Sequence, residues 1–291
     1  MLATFFICTF AQKSVNEANN NLNTYIEVFG FTKVDRETYN STFLRKVIIN
    51  VKFPFTNQLK EKSKDIIDLF KVDFPRAVLG KNKGFQISIE GKEGQPNFRT
   101  IDEDDNISLK TEDGQIELLI NCDNIIFSIE GKKYKSYEKN IEVILQKTLK
   151  LFDLISINSI INCSIRKINL IEFGYDEQRI PNGILSALLN NSIVYNEDAF
   201  NGMDYITQNI HNLEFKEGQY TLNLKYGMNT LPVPDKKIGQ LIVDNVITSN
   251  SEIGSKEFLS EMKILNEELF NVFFWLFNDD AKSVLRNGQF S

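Results

Sequence analysis

The strongest constraint on the fold is a period-two alternation of apolar residues, first seen in FLRKVIINVKF at residues 43–53. Successive side chains of a strand point to opposite faces, so this alternation predicts a strand with one buried face. The residues on that face are Phe43, Arg45, Val47, Ile49, Val51 and Phe53. Pro54 is expected to end the strand, because proline cannot donate to a ladder.

More strand candidates follow between turn residues: FQISIE, NISLK, GQIELLIN and NIIFSIE. Asp113-Gly114 is the sharpest hairpin signal among them, and the set predicts an antiparallel meander. The acidic run Ile101–Asn106 carries the oxygen ligands that calcium prefers, but it lacks the spacing and the glycine of a calcium-binding loop. We therefore expect this run to be a solvated turn between strands.

Helical periodicity appears on both sides of the meander and again near the C-terminus. Thr56 can cap a helix over residues 56–70, and Ser136 can cap one over residues 136–155. A third helix is predicted over Ser255–Asn287 and contains NVFFWLFNDD, with the sole tryptophan. This apolar block is too short to cross a bilayer, so we expect it to pack into a sheet.

The segment IINCSIRKINLIEF changes its apolar phase near Arg166 and Lys167, which predicts a β-bulge or a strand buried on both faces. A short helix at Pro181 and strands at DYITQNI, NLEF, QYTLNLKY and GQLIVDNVIT then follow as a looser version of the first half. The proline-bearing TLPVPDKK is predicted to be a loop.

Together these patterns predict an α+β protein in which antiparallel β-sheets pack against long amphipathic helices in two loosely similar halves. We divide the chain into an N-terminal extension at 1–38, an N-terminal α+β half at 39–176 and a C-terminal α+β half at 177–291. The second half is expected to pack on the first as one unit.

The charge and the cysteine content exclude some functional classes. The formal charge of −6 opposes general nucleic-acid binding, because such affinity comes largely from Lys and Arg. The densest basic cluster, Lys132, Lys133 and Lys135, is predicted to solvate a turn. Three cysteines without short spacing fit neither a disulfide framework nor a zinc site, so we expect a cytoplasmic protein.

The N-terminal sequence MLATFFICTFAQ leaves one alternative open. Leu2–Phe10 is similar to the apolar part of a secretory signal, which would make this a secreted or surface protein. A positively charged leading region and an Ala-x-Ala cleavage site are absent. We therefore favour a short buried or wrongly assigned N-terminal extension over export.

The pentapeptide SIEGK occurs at Ser88–Lys92 and again at Ser128–Lys132. Each copy sets a Glu and a Lys two residues apart after a strand, as restriction-type nucleases do to bind a metal and activate water. The candidate catalytic residues of this alternative are Glu90, Lys92, Glu130 and Lys132, with Asp113 or Asp123 as a further magnesium ligand. The plain interpretation is a turn whose glycine supplies a positive φ angle.

His211 is the sole histidine and lies in a strand-like stretch, and the sequence carries no nucleophile elbow, phosphate-binding glycine loop or paired-cysteine signature. We therefore expect no cofactor and no bound metal. The leading hypothesis is a non-catalytic binding or assembly protein for a protein partner or a small molecule, without membrane binding. A homo-oligomer stays open.

A family resemblance spans residues 39–287 and is carried by YNSTFLRKVIINVKF, IEGKKYKSYEKNIEVILQ, SIRKINLIEF and LNEELFNVFFWLFNDDAKSVL. In these spacings, and in Tyr137 and Asn169, the chain resembles a sporadically distributed family of prokaryotic proteins of unknown function. Where that family tends to have Arg and Gly, this chain has Asn162 and Ser164. The resemblance implies patchy occurrence, typical of defence or toxin–antitoxin genes, and supplies no catalytic residues.

Overall fold

The computed structural model describes residues 28–34, 43–89, 96–174, 188–190, 208–233 and 236–287. Its main feature is a nine-stranded antiparallel sheet accompanied by a few helices, which confirms the predicted α+β class. The strands are β1 Leu44–Lys52, β2 Arg76–Ile89, β3 Pro96–Lys110, β4 Ile116–Asn121, β5 Asn124–Glu130, β6 Ser159–Ile160, β7 Asn162–Gly174, β8 Gln208–Glu217, β9 Tyr220–Val233, β10 Lys236–Ser249 and β11 Ile253–Gly254.

Strand order in the large sheet is β2-β3-β4-β5-β1-β7-β10-β9-β8, and β6 and β11 form a separate small pair. β1 pairs with β5, the last strand of the first meander, and β7 pairs with β10, the last strand of the second. The two sets meet where β1 pairs with β7. The sheet is therefore continuous from one half of the chain to the other.

The helices are α1 Gln58–Glu61, α2 Ser63–Phe70, α3 Val143–Leu154, α4 Phe258–Leu276 and α5 Asp279–Asn287. The prediction of long amphipathic helices is not confirmed, because each long periodic segment is divided. A π-helix over Tyr137–Glu142 precedes α3. Phe277 takes an extended conformation, with ψ at 143°, and separates α4 from α5.

The capping prediction is confirmed at Ser136 but not at Thr56, which lies one residue before Asn57, the N-cap of α1. Lys139 N donates to Ser136 Oγ at 3.2 Å, which caps the π-helix, and Gln58 N donates to Thr56 Oγ1 at 3.2 Å. Gly114 has φ of 68° in the turn between β3 and β4. Such short-range signals need only neighbouring residues, and so the sequence predicts them well.

The predictions of which residues face the core need correction in the two central strands, β1 and β7. The β1–β7 register shifts between Leu44 and Lys46, so the bulge lies in β1 at Arg45. As a result, Leu44 packs against the core and Arg45 is exposed, opposite to the predicted face. In β7 the buried face keeps one phase through Cys163, Ile165, Asn169 and Ile171. The alternation of apolar residues in the sequence changes its phase because two inner-face positions, Lys167 and Asn169, are polar.

Two predicted turns are strands. The acidic run Ile101–Asn106 belongs to β3, where Asp105 lies opposite Lys81 of β2 in register. The antiparallel pairing with β2 therefore continues through the run, and the prediction of a solvated turn is wrong. Within TLPVPDKK, residues 230–233 and 236–237 extend the β9–β10 hairpin, and residues 234–235 lie outside the described part. The predicted helix start at Pro181 also lies outside it.

The tryptophan-bearing segment packs inward, as predicted. Leu276 and Phe277 are buried, and the ring of Trp275 lies 5.2 Å from that of Phe31. Phe31 and Val28 are buried, although they fall in the predicted extension. Helix α4 also forms hydrogen bonds with residues 28–34. Val28 N donates to Glu268 Oε1 at 3.2 Å, and Val34 N donates to Asn271 Oδ1 at 3.3 Å.

Candidate functional site

The two faces of the large sheet differ in character. Helix α4 packs against β7 and β10 on the inner face, whose side chains are buried. We call the opposite side the outer face; its alternating side chains are half-buried. The aliphatic residues there, which run across five neighbouring strands, are Ile48, Leu119, Ile126, Ile168, Leu170, Ile242 and Val246. An antiparallel sheet can keep one face open in this way.

A bidentate ion pair lies at the centre of the outer face. Arg166 Nε and Nη2 donate to Oδ1 and Oδ2 of Asp244 at 2.8 and 2.6 Å. The hydrogen bond to Asp244 raises the pKa of the Arg166 guanidinium. In register, Arg166 lies opposite both Ile48 and Val246, and Asp244 lies opposite Ile168. This bidentate ion pair, which we call the Arg166–Asp244 fork, therefore lies among the aliphatic residues of the outer face. The Arg166 side chain is 43% exposed and available for contact.

A shallow groove of about 220 Å³ adjoins this ion pair. Its lining residues are Asn212, Leu213, Glu214, Asn223, Leu224, Lys225, Asp244 and Val246. They come from β8, β9 and β10, so the groove continues the outer face toward the β8 edge. The groove offers aliphatic contacts and a few charged side chains. This composition is typical of a surface that binds a protein rather than of a catalytic site.

The SIEGK candidates are only partly brought together. Glu130 Oε1 forms an ion pair with Lys46 Nζ at 3.2 Å on the outer face. Asp113 Oδ2 forms one with Lys133 Nζ at 2.8 Å, and hydrogen bonds from Lys133 and Thr111 hold the pKa of Asp113 well below its usual range. Lys132 is exposed.

The turn that carries Asp113 lies beside Glu130, since Glu130 N donates to Gln115 O at 3.0 Å. Asp123 lies at the other end of β5, roughly 20 Å away along the strand. Glu90 and Lys92 lie outside the described residues. Within the described ranges, no three His, Cys, Asp or Glu side chains are grouped so that they could hold one metal ion.

Gly131 of the second SIEGK copy has a role that the turn interpretation missed. Its φ angle is not positive, so that part of the prediction is wrong. A Cβ placed on Gly131 would lie 1.6 Å from Leu44 O and 2.4 Å from Leu44 C. The glycine is required because the chain after β5 passes directly over the bulged start of β1.

A cleft of about 620 Å³ lies at one end of the sheet. It is lined by the loop over residues 54–58, by Glu61 and by the loop over residues 155–159, and Glu61 is the single ionisable side chain of that lining. Ser156 in this cleft has φ of 58°, a left-handed conformation. Such a cleft can hold a small polar molecule, but its lining supplies one carboxylate and no second acid or base.

The surroundings of His211, Cys122 and Cys163 fit structural roles for these three residues. The His211 ring stacks on Tyr226 at 5.0 Å, and burial lowers the pKa of His211. Burial, and next the negative charge of Glu261, raises the pKa of the Cys163 thiol to about 12. Cys122 is also a free, buried cysteine. A thiol with so high a pKa holds almost no thiolate at neutral pH, so Cys163 is unsuited to nucleophilic chemistry.

Sequence reasoning missed the Arg166–Asp244 pair and a polar contact beneath α4. Lys167 Nζ donates to Asn266 Oδ1 at 2.8 Å, and Asn245 lies opposite Lys167 in the β7–β10 register. The phase change at Arg166 and Lys167 was the signal for both, because it placed charged residues inside a central strand. Their partners are 78 and 99 residues away in sequence, beyond the reach of any local pattern.

The helices and the comparisons with known proteins give two further findings. Over the described ranges, every helix is either too short or too polar to traverse a lipid bilayer. No protein-family model matches this chain, and no curated protein matches it.

Proposed function

We propose that this chain is a non-catalytic, cytoplasmic binding protein whose outer sheet face docks a protein partner. The Arg166–Asp244 fork within an aliphatic row is the observation that carries the proposal. Interface cores combine apolar contact with arginine, and Arg is enriched there relative to other charged residues.

The charges of the outer face support docking over catalysis. Arg166 is paired with Asp244 and Glu130 with Lys46, so these groups are already balanced in the free protein. Balanced pairs fix register and exclude wrong partners without demanding a metal or a nucleophile. The family resemblance suggests a setting in defence or toxin–antitoxin loci, which would make the product of a neighbouring gene the first partner to test.

The test begins with affinity purification from the native cells and mass spectrometry, followed by binding measurements with the purified partner. Ile168→Glu puts a charge between Asp244 and Lys46 in the middle of the outer face. It should weaken binding by about tenfold or more, because docking must then desolvate a carboxylate where the wild type buries an apolar side chain, and one decade requires only about 1.4 kcal/mol.

Ile161→Glu is the matched control, because Ile161 is 43% exposed and lies before β7 rather than on the outer face. The control should bind like the wild type, and both variants should unfold at similar temperatures. Equal binding by Ile168→Glu and the wild type would exclude the outer face as the docking surface. A turnover activity that one side-chain change abolishes would exclude the non-catalytic assignment.

A further inference from the structure

The cleft at one end of the sheet is formed by two loops that extend from neighbouring central strands. Strand β1 ends at Lys52 and β7 begins at Asn162, and these two residues lie opposite each other in register. The loop over residues 54–58 follows β1, and the loop over residues 155–159 comes before β7. The cleft volume of about 620 Å³ is within the range of small-molecule sites.

Both loops are fixed to the rest of the fold. Thr56 N donates to Cys122 O at 2.9 Å, and Ser255 N donates to Asn158 O at 3.0 Å. Within the loops, the side chains that are buried are those of Thr56, Ile155 and Ile157. The exposed residues beside them include Phe55, Asn57, Ser156 and Asn158. The walls of the cleft are therefore in place before a ligand binds, which lowers the entropic cost of binding.

The polar lining of the cleft carries a single charge. Its uncharged polar side chains include those of Asn57, Gln58, Ser156, Asn158 and Ser159. Glu61 supplies the carboxylate, and among the residues described around the cleft no lysine, arginine or histidine lines it. A phosphate or carboxylate ligand would meet no cationic side chain there, so the lining disfavours anionic ligands.

Amide and hydroxyl side chains match a ligand that is rich in hydroxyl groups. Asn, Gln and Ser each offer both a donor and an acceptor, as an alcohol does. Glu61 is exposed, so water weakens the attraction between its carboxylate and a cationic ligand. The lining therefore favours a neutral polyhydroxyl compound over an organic cation.

Phe55 adds an aromatic surface to this lining. It is 62% exposed, and among the large hydrophobic residues that are exposed in the described ranges it is the one aromatic residue. The face of an aromatic ring is electron-rich and attracts the polarised C–H groups on the apolar face of a sugar ring. Phe55 and the neighbouring amides thus offer the two kinds of contact that a pyranose can make.

The backbone of Ser156 supports a role for the cleft in binding. Ser156 has φ of 58° at the end of α3, where glycine is the usual residue. Serine at this position costs backbone strain and adds a hydroxyl group to the lining of the cleft. Backbone strain of this kind concentrates at ligand sites.

We propose that this cleft binds a neutral sugar, whose ring lies on Phe55 and whose hydroxyl groups bond to the side-chain amides of Asn57 and Asn158. Hydrolysis of a glycosidic bond uses a pair of carboxyl groups, and the lining supplies one. The cleft is therefore a recognition site rather than a hydrolytic one. For a single hexose we expect a dissociation constant on the order of 1 mM.

The experiment is an NMR titration of the isotope-labelled full chain with D-glucose, D-galactose, D-mannose and N-acetyl-D-glucosamine. At least one of these sugars should shift the amide signals of residues 54–58 and 155–159. Absence of shifts with all four sugars would overturn the proposal. Shifts confined to strands of the outer face would place the site elsewhere and also overturn it.

Phe55→Ala should weaken sugar binding by about tenfold, because it removes the ring against which the sugar lies. Val72→Ala is the matched control, since Val72 is 84% exposed and does not line the cleft. The control should bind sugar like the wild type, and both variants should unfold at similar temperatures because both side chains are exposed. Equal sugar affinity of Phe55→Ala and the wild type would contradict the proposed site.

Glu61→Gln distinguishes a sugar from an organic cation. Glutamine keeps a hydrogen-bond acceptor but loses the charge, so sugar affinity should change by less than about twofold. Choline is the cation probe and should shift none of the loop signals. Choline binding that Glu61→Gln abolishes, in a protein that binds none of the four sugars, would replace the sugar with a cationic ligand.

The cleft and the outer face are different surfaces, so this proposal and the proposed function can fail separately. Ile168→Glu should weaken binding of the protein partner but still bind sugar. Phe55→Ala should lose sugar affinity but still bind the partner. A folded variant that loses both properties would contradict this separation.

Discussion

Lys167 Nζ of the central strand β7 lies 2.8 Å from Oδ1 of the fully buried Asn266 on α4. The contact joins the sheet to α4 through a polar pair, and the buried Asn169 and Asn245 lie in the same layer. Near the start of α4, Glu261 accepts hydrogen bonds from Gln219 at 3.2 Å and from Tyr220 at 3.4 Å. These contacts fix the helix along its axis, because a shifted helix would leave buried polar groups without partners.

Asn266→Ala should lower the free energy of unfolding by about 2 kcal/mol, because the half-buried Lys167 ammonium loses an acceptor. Urea unfolding measures the loss. The double variant Lys167→Met with Asn266→Leu should lose less than the sum of its two single variants, since apolar groups of similar shape need no partner. Additive losses would show that the two residues do not interact.

Gly131→Ala should cost more than about 3 kcal/mol, because the new Cβ would meet the Leu44 backbone at 1.6 Å and the backbone must move. Gly218→Ala is the comparison: its φ is 53° with nothing within 4 Å of the new Cβ, so it should cost only about 1 kcal/mol of strain. Thermal or urea unfolding of both variants ranks them. The reverse order would contradict the close approach at Gly131.

Ser156→Gly should raise the free energy of unfolding by about 0.5 to 1 kcal/mol. Ser156 ends α3 in a left-handed conformation, with Ser156 N bonded to Asp153 O and Ile157 N to Phe152 O. Glycine adopts that conformation without the steric cost of a side chain, and this gain exceeds its greater freedom in the unfolded chain. Ser156→Ala retains the Cβ and should give no gain, so a glycine variant that is no more stable than the alanine variant would refute the argument.

Stability should fall at alkaline pH because of Cys163. Its thiol pKa is raised from 9.0 to about 12, so the folded state keeps a proton that the unfolded state releases first. The stabilisation is complete below pH 9 and is lost as pH rises toward 12, at about 1 kcal/mol between pH 9 and pH 10. Urea unfolding at these two pH values should show a smaller decline for Cys163→Ala. The same decline in both proteins would rule out this assignment.

Incubation with DNA or RNA and magnesium or manganese tests the nuclease alternative. We expect no cleavage, because Glu130 is paired with Lys46 and Asp123 lies at the far end of its strand. The control is Glu130→Ala, which separates activity of this chain from a contaminant. Cleavage by the wild type that Glu130→Ala abolishes would replace the binding proposal with a catalytic one.

Much of the fold followed from local patterns. The buried face of β1, the meander, the Asp113-Gly114 turn and the cap at Ser136 depend on residues within a few positions of each other. The broken helices were not predictable in this way. The apolar spacing of the segment from Ser255 continues through the break at Phe277, and its partners on the sheet decide where the helix stops.

The candidate sites show the same difference between local sequence patterns and contacts of residues far apart in the chain. The SIEGK repeat drew attention to Glu130 and Asp113, yet each is bound to a lysine outside the motif's own Glu-Lys pair. The phase change at Arg166 marks one half of the Arg166–Asp244 fork in the sequence, but its partner could not be predicted, because the two halves meet only when β7 pairs with β10.

By itself the sequence determined which residues form strands with one buried face, since that choice rests on the period of the backbone and the local cost of exposing apolar side chains. The tertiary structure alone decided strand order, the bulge at Arg45 and the outer face. These features depend on contacts between residues far apart in the chain, and their free energy exists only once the whole sheet has assembled.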